Sequence, residues 1–170
     1  EGRTFIHPYD HAPIVARAGT CGLEMMEDVP DLDTLIIPIG GGGIISGIAV
    51  AAKAIKPSIE VYGVQAKTYP SMYDVIKGAN LPCVGQSVAE GIAVKQPGDL
   101  TRRIVAEFVK DIFLVTEDDI EHAIADLLAI EKTVVEGAGA AAFAAVRANP
   151  EVFAGKKVGV LLSGGNIDMR

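Results

Sequence analysis

Ile39-Gly40-Gly41-Gly42-Gly43-Ile44-Ile45-Ser46-Gly47, written IGGGGIISG, follows the apolar run Thr34-Leu35-Ile36-Ile37-Pro38 and leads into an apolar stretch reaching Ile55. Four glycines in a row suit neither a strand nor a helix, since each costs about 0.5–1 kcal/mol relative to Ala in a regular element. Between a strand and a helix they do something else. They leave several backbone N–H groups bare at the positive end of the helix, which makes a cradle for an anion, phosphate above all. One or two glycines suffice for a tight turn. The surplus is read here as room left for a ligand that approaches the main chain closely.

Three further apolar runs have strand length: Glu60–Val64, Ile112–Val115 and Lys157–Leu162. All are near-continuous rather than alternating, the pattern of strands buried on both faces of a parallel sheet. Helical spacing lies between them, over Ala12–Asp28, Ile44–Ile55, Pro70–Gly78, Leu100–Lys110, from Thr116 to about Lys132, and over Gly137–Ala148. Lys56-Pro57 stops the second of these, because a residue before Pro avoids the helical region. Thr116 followed by Glu117, Asp118 and Asp119 is an N-cap with acids that suit the positive end of a helix. The alternation predicts a single α/β domain over residues 1–170. Its core is an open, mostly parallel twisted sheet with helices on both faces. Ligands of such sheets sit at the carboxyl ends of the strands. Two glycine-rich loops fall there: Gly40–Gly43 after the first strand and Ser163-Gly164-Gly165-Asn166 after the last. The irregular stretch Lys77–Gly98 is read as a long loop covering the site.

The glycine loop matches neither nucleotide signature. A P-loop needs Lys and Ser/Thr after its last Gly, and Gly47 is followed by Ile48 and Ala49. The dinucleotide fingerprint needs glycines at i, i+2 and i+5, and no register supplies them. A small phosphate monoester fits better.

Composition agrees with a globular domain. The 170 residues are 49% hydrophobic with a net charge of −7. That acidity argues against nucleic-acid and membrane-surface binding. The uncharged run Leu35–Ala52 is long enough for a membrane span, but Pro38 and its glycines argue against one. The opening EGRTFIHPYD shows no secretory pattern. Cys21 and Cys83 fit no CxxC spacing and are expected to be small buried hydrophobes in a reducing cytosol. His7 and His11 flank Asp10, but Pro8 argues against a regular turn and a metal site there.

IGGGGIISG, AEGIAVKQPGDLT, VVEGAGAAA and LLSGGNIDM, in that order and preceded by Phe5-Ile6-His7-Pro8-Tyr9-Asp10, resemble the C-terminal half of the catalytic domain of threonine/serine dehydratases. The catabolic threonine dehydratases are the nearest pattern. These are pyridoxal-phosphate enzymes of the tryptophan-synthase-β-like fold, a group that includes serine racemase. The resemblance implies that backbone N–H groups of Gly40, Gly41, Gly42, Gly43 and Ile44 bind the coenzyme phosphate. It implies that Ser163 hydrogen-bonds the pyridine nitrogen, that Gly91 lies near the ring and substrate, and that Glu136 stands near the pyridine side. For Glu136, a solvent-exposed acid at a helix start is an equal reading. A neutral Ser163 hydroxyl can donate to an unprotonated ring nitrogen. The ring is then a weaker electron sink than one facing an acid, which suits β-elimination. The implied reaction converts threonine to 2-oxobutanoate and ammonia, with serine to pyruvate as a side activity. The cofactor phosphate as acid for the leaving hydroxyl is a further possibility raised by the resemblance.

Departures from the family are informative. The Ser-Phe-Lys of the Schiff-base lysine is absent, as are the substrate-carboxylate loop and the small domain, so a fragment inactive on its own is expected. Gln65 and Ser71 stand where serine-racemase-like relatives carry Glu and Asp for a divalent metal, so no metal is expected there. Ala89-Glu90-Gly91 replaces the usual Ala-Asp-Gly, which is expected to affect loop geometry or substrate range. The resemblance further implies a cytoplasmic homo-oligomer. The small residues Ala18-Gly19-Thr20-Cys21-Gly22 are suited to pack closely on another subunit or on the sheet. The alternatives are a serine racemase or hydroxyaspartate dehydratase of the same fold, a non-catalytic phosphate-binding or dimerisation module, and a nucleotide-binding regulator.

Overall fold

The computed structural model describes residue 2 and residues 5–167; Asp168 and Met169, the end of the last motif, lie outside them. Helix α1 (Ala12–Asp28) precedes β1 (Thr34–Pro38), α2 (Gly43–Ile55), β2 (Glu60–Ala66) and α3 (Ser71–Lys77). A 3-10 turn at Glu90–Ile92 leads to α4 (Asp99–Phe108), β3 (Asp111–Val115), α5 (Glu117–Ala129), α6 (Gly137–Ala148), α7 (Pro150–Phe153) and β4 (Val158–Val160). All strand pairs are parallel, in the order β3-β2-β1-β4. The chain runs outward from β1 to β2 and β3, then returns across the sheet to lay β4 on the other side of β1. The β1/β4 boundary is therefore the point where strand order reverses, the place where open α/β sheets form a crevice.

The near-continuous apolar runs are explained by a core on each face. Leu35 and Ile37 of β1, Ile39 just beyond it and Val61 of β2 pack with Ile45, Ile48 and Ala52 of α2 and Val105 of α4. Ile36, Tyr62 and Val64 face the opposite way, onto Ile120 and Leu127 of α5, the alanines of α6 and Phe153. Every residue of β1 is buried, and burying each large aliphatic side chain contributes about 1.5–3 kcal/mol. Pro38 sits at the end of this strand for a geometric reason. Ile36 O accepts from Leu161 N and Ile39 N donates to Val64 O, so the backbone of position 38 faces β4. With no N–H there, Pro38 has no donor to extend that ladder, and the β1/β4 pairing ends at Ile36 and Val160.

Several boundaries differ from the sequence reading. β4 is shorter than Lys157–Leu162, and α5 stops at Ala129, since Lys132 takes a left-handed φ of 57°. The short α7 was not expected; Pro150 at its first turn supplies a favourable start. Cys21 is exposed and Cys83 only half-buried. The expectation that they are buried fails because Cys21 falls on the outward face of α1. The small residues of α1 pack on α2, not on the sheet. A Cβ added at Gly47 would lie 2.2 Å from Val15 O and 2.5 Å from Gly19 N, and one at Gly22 would lie 3.0 Å from Ile48 Cα. Among the described residues no helix is long and apolar enough to cross a membrane. At the far end of the sheet from the crevice, Lys110 and then Lys156 hydrogen-bond the Glu60 carboxylate and hold its pKa down at about 2.

The α1/α2 contact yields a ranking. Gly47→Ala drives a methyl into backbone and should cost about 1–3 kcal/mol or more. Gly19→Ala, whose added Cβ lies 3.2 Å from Gly47 O, should cost less, because higher helix propensity offsets part of the crowding. Urea unfolding midpoints of the two variants test this order.

Candidate active site

The crevice at the ends of β1 and β4 is a cleft of about 310 Å³. Gly40, Gly41, Gly42, Gly43, Ile44, Gly91, Glu136 and Ser163 all border it, together with Pro8, Tyr9 and Pro38. The eight positions singled out from sequence thus come together, although they span more than 120 positions of the chain. A larger cleft of about 740 Å³ adjoins it, and Gly91, Glu136 and Ala138 border both.

The glycine loop is bare for a reason that differs from the one expected. Its side-chain positions are occupied by protein. A Cβ on Gly41 would fall 2.2–2.4 Å from the Tyr9 ring, and one on Gly43 3.0 Å from Tyr9 Cβ. On Gly42 it would meet Met72 Cε at 2.7 Å and Thr101 Cβ at 2.8 Å, and on Gly40 Val94 Cγ2 at 3.2 Å. Gly42 also has φ +94°, the one loop position that needs glycine on conformational grounds. The surplus of glycines thus makes room for neighbouring segments.

The amide side of the loop remains free. Among the described residues, the N–H groups of Gly40, Gly41, Gly42, Gly43 and Ile44 donate to no backbone or side-chain acceptor; the first helical bond runs from Ser46 N to Gly42 O. Helix α2 has no side-chain cap and no acid in its first turn. Its positive end is therefore uncompensated among the described residues.

Ser163 is exposed just beyond β4. The turn that follows rests on the start of α6: Glu136 N donates to Gly164 O at 2.9 Å. A Cβ on Gly164 would lie 2.2 Å from Glu136 Oε1. Glu136 is the N-cap residue of α6 without capping it. It is half-buried rather than solvent-exposed. A Cβ on Gly91 would meet Ala138 Cβ at 3.0 Å and Glu136 Oε1 at 3.5 Å. The stretch 78–98 does border the cleft, through Gly91, Ile92 and Val94. It is tied down: the Glu117 carboxylate accepts from Ser87 Oγ at 3.1 Å and Val88 N at 2.8 Å.

The structural roles of three residues escaped the sequence reading. Asp10 is the first. Its carboxylate accepts from Asp99 N at 2.9 Å, Leu100 N at 2.8 Å and Thr101 N at 3.3 Å, capping α4 from 89 positions upstream. The residue at the N-cap itself, Gly98, has no side chain, and a Cβ there would strike the Asp10 carboxylate at 2.3 Å. Burial pushes the Asp10 carboxyl up, but the three backbone N–H groups and nearby His7 outweigh it and hold the pKa below the ordinary value. His7 Nδ1 in turn accepts from Asp10 N at 2.9 Å. The available signal was a helix start, Pro97-Gly98-Asp99, without a capping side chain of its own. The other two, Gln65 and Thr101, are fully buried polar residues; no sequence pattern marks Thr101, and Gln65 stood out only as a non-acidic residue at a family metal position. Among the described residues, no group of three or more His, Cys, Asp or Glu is placed to hold a metal.

The comparisons extend this picture. The family model described as "Pyridoxal-phosphate dependent enzyme" matches residues 1–164. The L-threonine ammonia-lyase of Thermotoga maritima is 45% identical over 170 residues, covering 99% of this chain and 42% of that protein. The catabolic L-threonine dehydratase of Escherichia coli is 44% identical over 173 residues, covering 99% of this chain and 53% of that protein. The structure of maize serine racemase superposes with a TM-score of 0.88 at 34% identity, covering 96% of this chain and 52% of that one. The chain spans about half the length of the curated relatives it matches.

Asp10 gives a prediction with a definite pH sign. Its folded pKa is depressed, so its contribution is complete above the ordinary carboxylate pKa of about 4 and is lost as pH falls below that. Asp10→Ala should cost about 1 kcal/mol at pH 7. The gap between variant and parent in urea unfolding should then narrow below pH 4.

Proposed function

The chain belongs to the pyridoxal-phosphate dependent enzymes, and from that premise we propose that the intact protein is a threonine ammonia-lyase. It would convert L-threonine to 2-oxobutanoate and ammonia, and L-serine more slowly to pyruvate and ammonia. The observation that carries the reading is one cleft bordered both by the free amides of Gly40–Ile44 and by Ser163. The 44–45% identity to curated ammonia-lyases supports the substrate.

The residues fit the coenzyme. Free N–H groups at an uncapped helix start suit its phosphate, and the exposed Ser163 hydroxyl is a neutral donor suited to a pyridine nitrogen. When bound, the coenzyme supplies an electron sink for bond breaking at the substrate α-carbon. In this reading the amides of Gly40, Gly41, Gly42, Gly43 and Ile44 grip the phosphate. Ser163 would hydrogen-bond the pyridine nitrogen without protonating it, and Gly91 and Glu136, which border the same cleft, would stand near the ring. The 170 residues form one part of the coenzyme-binding domain. The Schiff-base lysine and the loop for the substrate carboxylate come from elsewhere in the intact protein. The cytoplasmic homo-oligomer implied by the resemblance belongs to the same proposal.

Incubated with pyridoxal phosphate and L-threonine, the intact protein should release 2-oxobutanoate and ammonia in equal amounts. Ser163→Ala should lower kcat about tenfold, the worth of one well-placed hydrogen bond. Formation of D-serine from L-serine without any 2-oxo acid would overturn the lyase assignment and favour a racemase.

A further inference from the structure

Two buried polar side chains hold the glycine loop from behind. The first is Thr101, fully buried on α4. Its hydroxyl donates to Gly41 O at 2.7 Å; Gly98 O, at 3.3 Å, is the poorer of its two acceptors. Gly98 N adds a second donor to Gly41 O at 3.3 Å. The second is Gln65, fully buried at the end of β2. Its Oε1 accepts from Met72 N at 3.0 Å and Tyr73 N at 2.9 Å. Those two donors fix which end of the amide is oxygen. Nε2 is thereby left to donate to Ile39 O at 3.3 Å and to Ser71 Oγ at 3.4 Å.

The consequence lies in the peptide plane. In a trans peptide the C=O of one residue and the N–H of the next point in opposite directions. The described chain contains no cis peptide. Anchoring Ile39 O on Gln65 turns Gly40 N–H away from β2. Anchoring Gly41 O on Thr101 turns Gly42 N–H away from α4. Neither Gln65 nor Thr101 borders the cleft, whereas Gly40 and Gly42 do. We propose that Thr101 and Gln65 are positioning residues that aim the Gly42 and Gly40 amides into the cleft, where they hold the coenzyme phosphate. Asp10 stands one step behind, since its carboxylate holds the α4 turn that carries Thr101. A glycine peptide rotates with little steric resistance, so without these anchors the loop is free to present a carbonyl to the anion instead.

This inference rests on the reading of the loop as a phosphate site, and the test separates the two. In the intact protein, Kd is measured for pyridoxal 5'-phosphate and for pyridoxal, which lacks the phosphate. The parent protein should strongly prefer the phosphorylated compound. Thr101→Val, which keeps the shape and removes the hydroxyl, should cut that preference roughly three- to tenfold. Thr101→Ser should restore it. A residue that only stabilised the fold would weaken both compounds alike or neither. If the parent shows no preference, the phosphate reading itself fails. If it does, and Thr101→Val keeps the full ratio, the positioning role is overturned while the phosphate site stands. If Thr101→Val does not fold, amide spectra of the parent decide. Inorganic phosphate should shift the Gly40 and Gly42 N–H resonances, and binding that leaves both unmoved overturns the inference.

Discussion

Four separate parts of the chain converge on the backbone of Gly40–Gly43. Tyr9 lies against Gly41 and Gly43, Met72 and Thr101 against Gly42, and the turn around Gly91 and Val94 against Gly40. A single β-carbon on Gly41 or Gly42 would push one of these segments away. The constraint is steric and local, yet it determines how the segment around Tyr9, the start of α3, the start of α4 and the stretch before Gly98 are arranged. It also explains why the entropic cost of four glycines is retained. The contacts on their side-chain face hold the loop, and its amide face is left clear.

Two helix starts near this junction are treated in opposite ways. At α4 the free N–H groups are satisfied by Asp10, a carboxylate from a distant segment. At α2 the described residues supply neither a capping side chain nor an acid in the first turn. Unsatisfied N–H groups at a helix start form a site suited to an anion. The contrast is therefore a physical reason to expect an anion at α2 and none at α4. The pairing of β1 with β4 acts in the same direction. Pro38 has no N–H to extend that ladder, the last bond runs from Leu161 N to Ile36 O, and the crevice beyond it lies where α2 begins.

Much of the architecture was legible. The continuous apolar runs of β1 and β2 identify strands buried on both faces, and the glycines and Ser163 mark the strand ends where the cleft lies. What failed did so for particular reasons. Cys21 looked like a core residue by type, but the face a helical residue occupies depends on where the partner helix lies. The glycines were read as space for a ligand, whereas protein fills their side-chain face, because a run of glycine records only that something is close and not what it is. Glu136 could be read as a surface acid, since the turn at Gly164 and the Gly91 backbone that lie against it are distant in sequence.

Chemistry that repeats at short range was determined by the sequence alone: strand and helix periodicity, the capping box at Thr116 and Asp119, and the motifs that identify the family. The roles of Asp10, Gln65 and Thr101 were decided only by the tertiary structure. Each of these three acts on backbone groups across a long separation in the chain. A polar side chain looks the same in a sequence whether it meets water or a backbone carbonyl. Only the fold brings Thr101 onto Gly41 O and Gln65 onto Ile39 O, and a hydrogen bond exists only where donor and acceptor are brought within about 3 Å.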